Sequence, residues 1–273
     1  MSSPPTTGEL WAREQLAVLL DARFAPRAVA RFLVASQRRT NAERRARPAT
    51  ARRMRRWVGA GAAAWAALAL ADREPFRRQA GAFAAWWALT WLMLDWHIGM
   101  VETEDGRERN LGPADACTLA RVWLVPAVAD TPAPWMCAVA FVTDGLDGRL
   151  ARATEPTRIG RDLEGLADWA FAAAALRGAV RSGRLGRGAA RSELARLGIG
   201  LGYTLVVWFG SARSPDPRVL HAARVTTPVR AAGLVAAGLG RRRLAGALVA
   251  GGAGWSAAAI ARALVRPRGR TAA

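Results

Sequence analysis

The sequence lacks lysine altogether and holds only two cysteines and two histidines among its 273 residues. The cysteines, Cys117 and Cys137, both lie in apolar segments, and neither belongs to a Cys-x-x-Cys or a Cys/His spacing. We therefore interpret both cysteines as small buried hydrophobic residues and not as metal ligands. Alternation of apolar and polar residues with a period of two, which is typical of strands, is also missing, so the sequence favours an all-helical protein.

The basic charge of the chain is carried by arginine alone. The 40 arginines outnumber the 21 acidic residues, which gives a formal net charge of +19, and 52% of the residues are hydrophobic. The arginines are clustered between apolar segments, a pattern typical of membrane spans joined by basic loops rather than of one basic face. No module that combines basic and aromatic residues is found, so we expect no binding of nucleic acid.

Apolar segments follow one another along most of the chain and predict membrane-spanning helices. A span needs about 20 apolar residues. Two segments form a leading pair and six more form a second group, so the predicted fold is an all-α, polytopic membrane helix bundle. The predicted spans are residues 57–71, 80–101, 113–129, 134–150, 163–180, 194–212, 225–239 and 244–265.

The N-terminal region, residues 1–56, has a different pattern. In residues 8–36 apolar side chains recur at helical spacing among charged ones, with Pro26 as a break, which predicts one or two amphipathic helices on the membrane surface or packed on the protein. Residues 38–56 are rich in arginine and are interpreted either as a solvated linker or, preferably, as an anchor to anionic lipid headgroups. The rest of the chain divides into two extra apolar segments in residues 57–110, a six-helix domain in residues 111–265 and a basic tail in residues 266–273.

Four acidic residues lie between two apolar segments in residues 143–168. Asp144 and Asp147 are three residues apart, and Glu164 and Asp168 are four apart, so each pair shares a helix face if both flanks are helical. Four carboxylates brought together would repel one another unless cations lay between them, and ligands that are all oxygen favour Mg²⁺ or Mn²⁺. The stretch thus predicts a metal site between two helices.

Glycines and an arginine accompany the acids. Gly148 and Gly160 leave room for a phosphate to approach the backbone, and Arg152 offers a fork of donors for phosphate oxygens. The other interpretation, a charged turn with ordinary salt bridges, accounts less well for four acids at this spacing. We therefore expect a site for a metal ion and a phosphate-containing ligand.

The whole pattern resembles the signature of the CDP-alcohol phosphotransferase (CDP-alcohol phosphatidyltransferase) family, membrane enzymes of phospholipid biosynthesis. That signature reads DxxDGxxAR, a gap, and then Gxxx-acid-xxxD, and here it runs from Asp144 to Asp168. Upstream, Thr118, Arg121 and Pro126 resemble the family's NxxTxxRxxxxP on its first helix.

The resemblance covers residues 111–265, and the chain departs from the pattern at three places. Glu164 stands where the family has an aspartate, and Asp115 stands where it has an asparagine. Seven residues instead of eight separate Arg152 from Gly160. A glutamate still offers two oxygens, and a loop absorbs a change of length most easily.

The resemblance implies a transferase that moves a phosphatidyl or other phosphoalcohol group from a CDP-alcohol to an acceptor hydroxyl and releases CMP. It implies two divalent cations, Mg²⁺ or Mn²⁺, and gives Asp168 the further role of general base on that hydroxyl. The implied metal ligands are Asp144, Asp147, Glu164 and Asp168. The implied binding residues for the CDP part are Asp115, Thr118, Gly148, Arg152 and Thr157.

The resemblance also implies the partners. The donor is expected to be CDP-diacylglycerol or a similar CDP-alcohol, with its acyl chains in membrane lipid, and the protein is expected to be a homodimer. The acceptor stays open between glycerol 3-phosphate, inositol phosphate, serine and another phospholipid. The arginine-rich run of residues 38–56 predicts a cytoplasmic N-terminus. We expect a multi-pass plasma membrane protein with its active site on the cytoplasmic side.

Two other interpretations remain open. A non-catalytic or degenerate membrane protein of the same fold would bind nucleotide or lipid, and Glu164 would then mark the lost activity. A transporter is less favoured, because its acids would be spread over two repeated halves and the sequence has no internal repeat.

Overall fold

The computed structural model describes residues 6–103, 106–154, 157–211 and 215–265, without the side chains of Arg152, Asp162 and residues 208–211. The predicted basic tail, residues 266–273, lies outside the described residues. In the described part of the chain the structure is helical, as predicted, apart from a short 3₁₀ turn, loops and two isolated β-bridges. Its α-helices are α1 Thr7–Asp21, α2 Pro26–Ala46, α3 Pro48–Leu70, α4 Ala80–Trp96, α5 Pro113–Asp130, α6 Pro134–Ala153, α7 Arg158–Arg181, α8 Arg187–Ser211, α9 Pro217–Arg224, α10 Thr227–Gly238 and α11 Arg242–Val265.

Prolines mark several of the helix starts. Pro26, Pro48 and Pro217 each occupy the first turn of a helix, where a missing N–H has no intrahelical partner to lose. The part of the N-terminal region that ends at Ala46, called the leader below, therefore forms two helices, α1 and α2, in agreement with the predicted break at Pro26. Residues 38–56 are helical on both sides of Arg47, so this arginine-rich run is not an extended segment.

Among the described residues one helix, α11, has both the length and the apolar composition that a membrane span needs. The others fall short for different reasons. Helix α4 has 17 residues and α10 has 12, which correspond to about 25 Å and about 18 Å against an apolar bilayer core of about 30 Å. Helix α5 holds Asp115, Arg121 and Asp130 within 18 residues, and α6 and α7 carry the acids of the predicted site.

The chain divides into two compact units, of which the first comprises Met1–Ala127 and Val142–Phe171. Two tryptophans of α4 join its helices, since the Trp87 indole donates to the Val58 carbonyl at 3.1 Å and the Trp86 indole donates to the Val122 carbonyl at 2.8 Å. These bonds give buried indole N–H groups the partners they need. The core of this unit consists of Ala51, Met54, Val58, Leu94, Ile98, Val101, Leu111, Leu119, Ile159 and Leu163.

The second unit comprises Val128–Phe141 and Ala172–Ala273, and in it α11 packs against α8, α9 and α10. A Cβ atom at Gly233 would lie 2.8 Å from the Val249 side chain, so the close packing of α10 on α11 requires glycine there. Arg184 donates from one guanidinium nitrogen to the carbonyls of Pro132 and Gly238 at 3.1 and 2.9 Å. These bonds hold the ends of three helices together.

Candidate active site

The acids of the sequence pattern meet within the first unit. Asp144 and Asp147 lie one turn apart on α6, and Glu164 lies in the second turn of α7. One oxygen from each of the three carboxylates lies within 4.8 Å of the others, a spacing that could hold a metal ion. Three of the four acids that were predicted to bind metal therefore lie together.

Asp147 is the buried member of this group, with 3% of its surface exposed. Its Oδ2 accepts a hydrogen bond from the Thr118 hydroxyl at 3.2 Å and lies 2.6 Å from Nη2 of Arg121. Its Oδ1 is buried and has no hydrogen-bond partner among the described residues. A buried carboxylate oxygen without a partner is costly, so Oδ1 fits a cation ligand. The three carboxylates together match the oxygen-only ligand set of Mg²⁺ and Mn²⁺.

Arg121 lies at the centre of the acids and is 1% exposed. Its Nη2 lies 3.9 Å from an oxygen of Asp144, and its Nε lies 3.0 Å from an oxygen of Asp168. A buried guanidinium requires carboxylates around it, and here it contacts three. Among these five side chains the carboxylates outnumber the guanidinium four to one, an excess of acid that bound cations would offset.

Asp168 takes a position different from that of the other three acids. It is outside the three-carboxylate group found in the described part of the chain, and it pairs with Arg121 instead. Its side chain is 42% exposed. The arrangement gives a carboxylate that is oriented by a guanidinium on one side and open to a small molecule on the other.

A second set of contacts joins the start of α5 to the start of α7. The Thr157 hydroxyl accepts from the Gly160 backbone N–H at 3.0 Å, which is the arrangement of an N-cap, and lies 3.4 Å from Oδ1 of Asp115. The other oxygen of Asp115 accepts from the Gly112 N–H at 2.6 Å. A Cβ atom at Gly160 would lie 2.5 Å from Asp115 Oδ1, so this contact requires glycine. The predicted binding residues Asp115 and Thr157 are thus in contact with each other.

A cavity of about 160 Å³ opens beside these groups. Its lining includes the predicted residues Asp115, Thr118, Asp147, Thr157, Gly160 and Glu164. Gly148 is half-buried on α6. The side chain of Arg152, which was also predicted to bind the CDP part, lies outside the described residues.

Sequence reasoning missed three residues at this site. Arg109 and Asn110, from the loop before α5, line the same cavity, and the Asn110 side-chain oxygen is buried without a partner among the described residues. Arg121 was quoted as part of the upstream motif but was not assigned to the site. Its signal was available, because an arginine inside an apolar helix needs acidic partners. No comparable signal marks Arg109 or Asn110.

Comparison with known proteins adds one finding. A family model described as CDP-alcohol phosphatidyltransferase matches residues 113–255, just over half of the 273-residue chain. No curated protein and no solved structure matches the chain. The match begins with α5 and ends within α11, so it includes the four acids and Arg121 and leaves out helices α1 to α4.

Proposed function

The chain belongs to the CDP-alcohol phosphatidyltransferase family, and from that premise we propose that it transfers a phosphatidyl group from CDP-diacylglycerol, or a similar group from another CDP-alcohol, to an acceptor hydroxyl in phospholipid biosynthesis. CMP is the other product. The observation that carries the proposal is the group formed by Asp144, Asp147 and Glu164, because these three acids occupy the signature positions and lie within 4.8 Å of one another.

Asp144, Asp147 and Glu164 are the proposed ligands of two divalent cations, Mg²⁺ or Mn²⁺, with Asp168 as a further ligand. When bound, such cations offset the charge of the diphosphate and make CMP a better leaving group. The unpartnered Oδ1 of Asp147 and the excess of carboxylates over Arg121 support this assignment. Arg121 forms ion pairs with Asp147 and Asp168, which keep both carboxylates close to the proposed metal ligands.

The CDP part of the donor is proposed to bind in the cavity beside the metal ligands. Its volume of about 160 Å³ is below the range of about 300–1,000 Å³ typical of pockets that enclose a drug-sized ligand. The cavity therefore accommodates part of a nucleotide, while the acyl chains of the donor remain in lipid. Asp115, Thr118 and Thr157 face this ligand together with Asn110, whose unpartnered oxygen suits a nucleotide donor group. Gly148 and Arg152 complete the proposed set.

Asp168 is proposed to accept the proton of the acceptor hydroxyl. The hydroxyl oxygen attacks the β-phosphorus, a new oxygen–phosphorus bond forms, and the bond from that phosphorus to the oxygen of CMP breaks. The exposure of Asp168 supports this role, since a general base must be within reach of the arriving hydroxyl. Positioning and charge stabilisation supply most of the acceleration in phosphoryl transfer.

The family consists of integral membrane proteins, and helix α11 satisfies the requirements of a span. We propose a multi-pass plasma membrane protein that acts as a homodimer with its site on the cytoplasmic side. An acyl-bearing donor gives the physical reason for a membrane location, because its chains stay in the bilayer while its diphosphate reaches the interface.

The test is release of CMP by the purified protein in lipid, with CDP-diacylglycerol, Mg²⁺ or Mn²⁺, and a panel of hydroxyl acceptors. We expect CMP to appear only with metal and with one class of acceptor. Asp168→Asn keeps the size of the side chain but removes its basicity, and a lost general base costs about 10²–10⁴-fold in rate. Asp72→Asn is the matched control, because Asp72 is an exposed acid paired with Arg77.

Equal activity of Asp168→Asn and the wild type would contradict the role of Asp168. If the folded wild type released no CMP with any of the acceptors and several CDP-alcohols, that result would contradict the transferase proposal. It would favour the non-catalytic alternative, in which the same fold binds nucleotide or lipid.

A further inference from the structure

The leader helix α1 reaches the start of α7 through a buried ion pair. Glu9 is 4% exposed and Arg158 is 2% exposed. Nη1 of Arg158 lies 2.5 Å from Oε2 of Glu9. The two residues are 149 positions apart in sequence, and both belong to the first compact unit. Because both charges are removed from water, the pair is retained only if its geometry is maintained.

Arg158 makes two further bonds to the segment between α4 and α5. Its Nε donates to the Thr103 carbonyl at 3.3 Å, and its backbone N–H donates to the Glu102 carbonyl at 2.8 Å. An isolated β-bridge joins Thr103 to Thr157, the residue before Arg158. Arg158 is thus contacted by three residues, Glu9, Glu102 and Thr103. All three precede residue 113, where the family match begins.

Arg158 does not stabilise the helix that it begins, so its burial there needs another explanation. Arg158 is the first residue of α7, and a cation at a helix N-terminus opposes the macrodipole. A buried cation there needs an external carboxylate, which Glu9 supplies. Glu9 is itself fixed, since its backbone N–H and its side chain form a capping box with Thr6.

The turn that these contacts hold is the turn that carries the site. Thr157 contacts Asp115 and caps α7, and Glu164 follows less than two turns after Arg158. A shift of the first turn of α7 would therefore move Glu164 relative to Asp144 and Asp147 on α6.

We propose that Glu9 is a positioning residue, which through Arg158 fixes the start of α7 and so places Glu164 and Thr157 for metal and nucleotide binding. The inference rests on the proposed function for its catalytic meaning. The contact gives helix α1, which lies outside the family-matched residues, a role in positioning residues of the site.

The test compares Glu9→Gln with Glu14→Gln, a control at an exposed position of the same helix. Hydrogen exchange of the peptide covering residues 157–164 reports how readily the hydrogen bonds of this turn open. Mn²⁺ binding, followed by electron paramagnetic resonance, reports on the metal ligands in the absence of donor and acceptor. For Glu9→Gln we expect faster exchange and a Kd for Mn²⁺ raised by about tenfold, as for lost outer-shell partners of metal sites. CMP release should need more metal, while kcat at saturating metal is retained.

Arg158→Lys changes the other partner of the same contact, because lysine keeps the positive charge but lacks the planar set of guanidinium donors. If the two residues act through one contact, Glu9→Gln combined with Arg158→Lys will weaken Mn²⁺ binding no more than the stronger single change does. Additive losses would overturn the proposal.

Other outcomes are equally decisive. Unchanged exchange in residues 157–164, or faster exchange with unchanged Mn²⁺ affinity, would overturn the positioning role even if the melting temperature fell. A wild type that binds Mn²⁺ but releases no CMP would defeat the proposed function and leave the Glu9 comparison intact. A wild type that bound no Mn²⁺ would overturn the positioning role as well, because there would be no metal site for Glu9 to position.

Discussion

Two of the buried clusters of carboxylates and guanidiniums among the described residues invite comparison, because they lie in different compact units. In the second unit Glu193 lies between Arg196 and Arg230, at 2.7 and 2.6 Å from their nearest nitrogens. In the first unit Arg121 lies among Asp144, Asp147 and Asp168. The residue types are the same, but the balance of charge is opposite. In the second unit two arginines share one glutamate, whereas in the first unit three aspartates share one arginine.

The clusters differ most in how well their polar atoms are satisfied. Every guanidinium nitrogen of Arg196 and Arg230 donates to a carboxylate, a hydroxyl or a carbonyl oxygen. In the acid cluster Oδ1 of Asp147 has no partner among the described residues, and Arg121 makes ion pairs without well-aligned hydrogen bonds there. A satisfied network stabilises a fold, whereas an unsatisfied one indicates a missing ligand. The comparison thus separates a structural cluster from a functional one.

The largest expected effect on stability tests the structural cluster. Glu193→Gln leaves two buried guanidiniums without a carboxylate, and we expect a loss of about 3–5 kcal/mol in the free energy of unfolding, as when one partner of a buried pair is removed. Thermal or denaturant unfolding in a lipid-like detergent measures it. Metal dependence of any remaining folded protein should match the wild type. A stable Glu193→Gln with altered metal dependence would abolish the distinction between the clusters.

Asp147→Asn tests the functional cluster and should show the reverse pattern. We expect CMP release to fall by at least about 100-fold, since even lost outer-shell partners of metal sites cost up to that much. The melting temperature without metal should change little, because the change removes one of several mutually repelling carboxylates. Added Mn²⁺ should raise the melting temperature of the wild type but not of the variant. Large destabilisation without metal would make Asp147 a structural residue.

Glu164→Asp should give the smallest effect and sharpens the comparison within the acid cluster. The charge stays, but the carboxylate is withdrawn by one methylene from its position near Asp144 and Asp147. We expect Mn²⁺ affinity to fall by about tenfold or less, with activity restored at high metal concentration. Higher affinity or activity in Glu164→Asp would show instead that the family's aspartate suits this site better than the natural glutamate.

Much of the site could be predicted from the sequence because its acids belong to local patterns. Asp144 and Asp147 share a face of α6 as residues three apart on one helix do, whereas Glu164 comes from α7 and joins them only through helix packing. The breaks at Pro26 and Pro48 also follow from local rules. The number of spans was less predictable, because charges that serve the site reduce the apolar character of α5, α6 and α7.

Contacts between distant segments could not be predicted in the same way. Nothing near Glu9 indicates that its partner is Arg158, and nothing near Arg109 or Asn110 indicates a cavity. Such contacts depend on how helices pack, which a local pattern does not contain. The position of Arg121 among Asp144, Asp147 and Asp168 has the same origin.

The sequence by itself determined the helical class, the family and the identity of the acids, because periodicity and spacing are properties of a single helix. Only the tertiary structure decided which acids pair with Arg121, which carboxylate oxygen is left without a partner, and which leader residue contacts the start of α7. The physical reason is that burial and charge pairing depend on segments far apart in the chain, and these meet only when the core of the unit has formed.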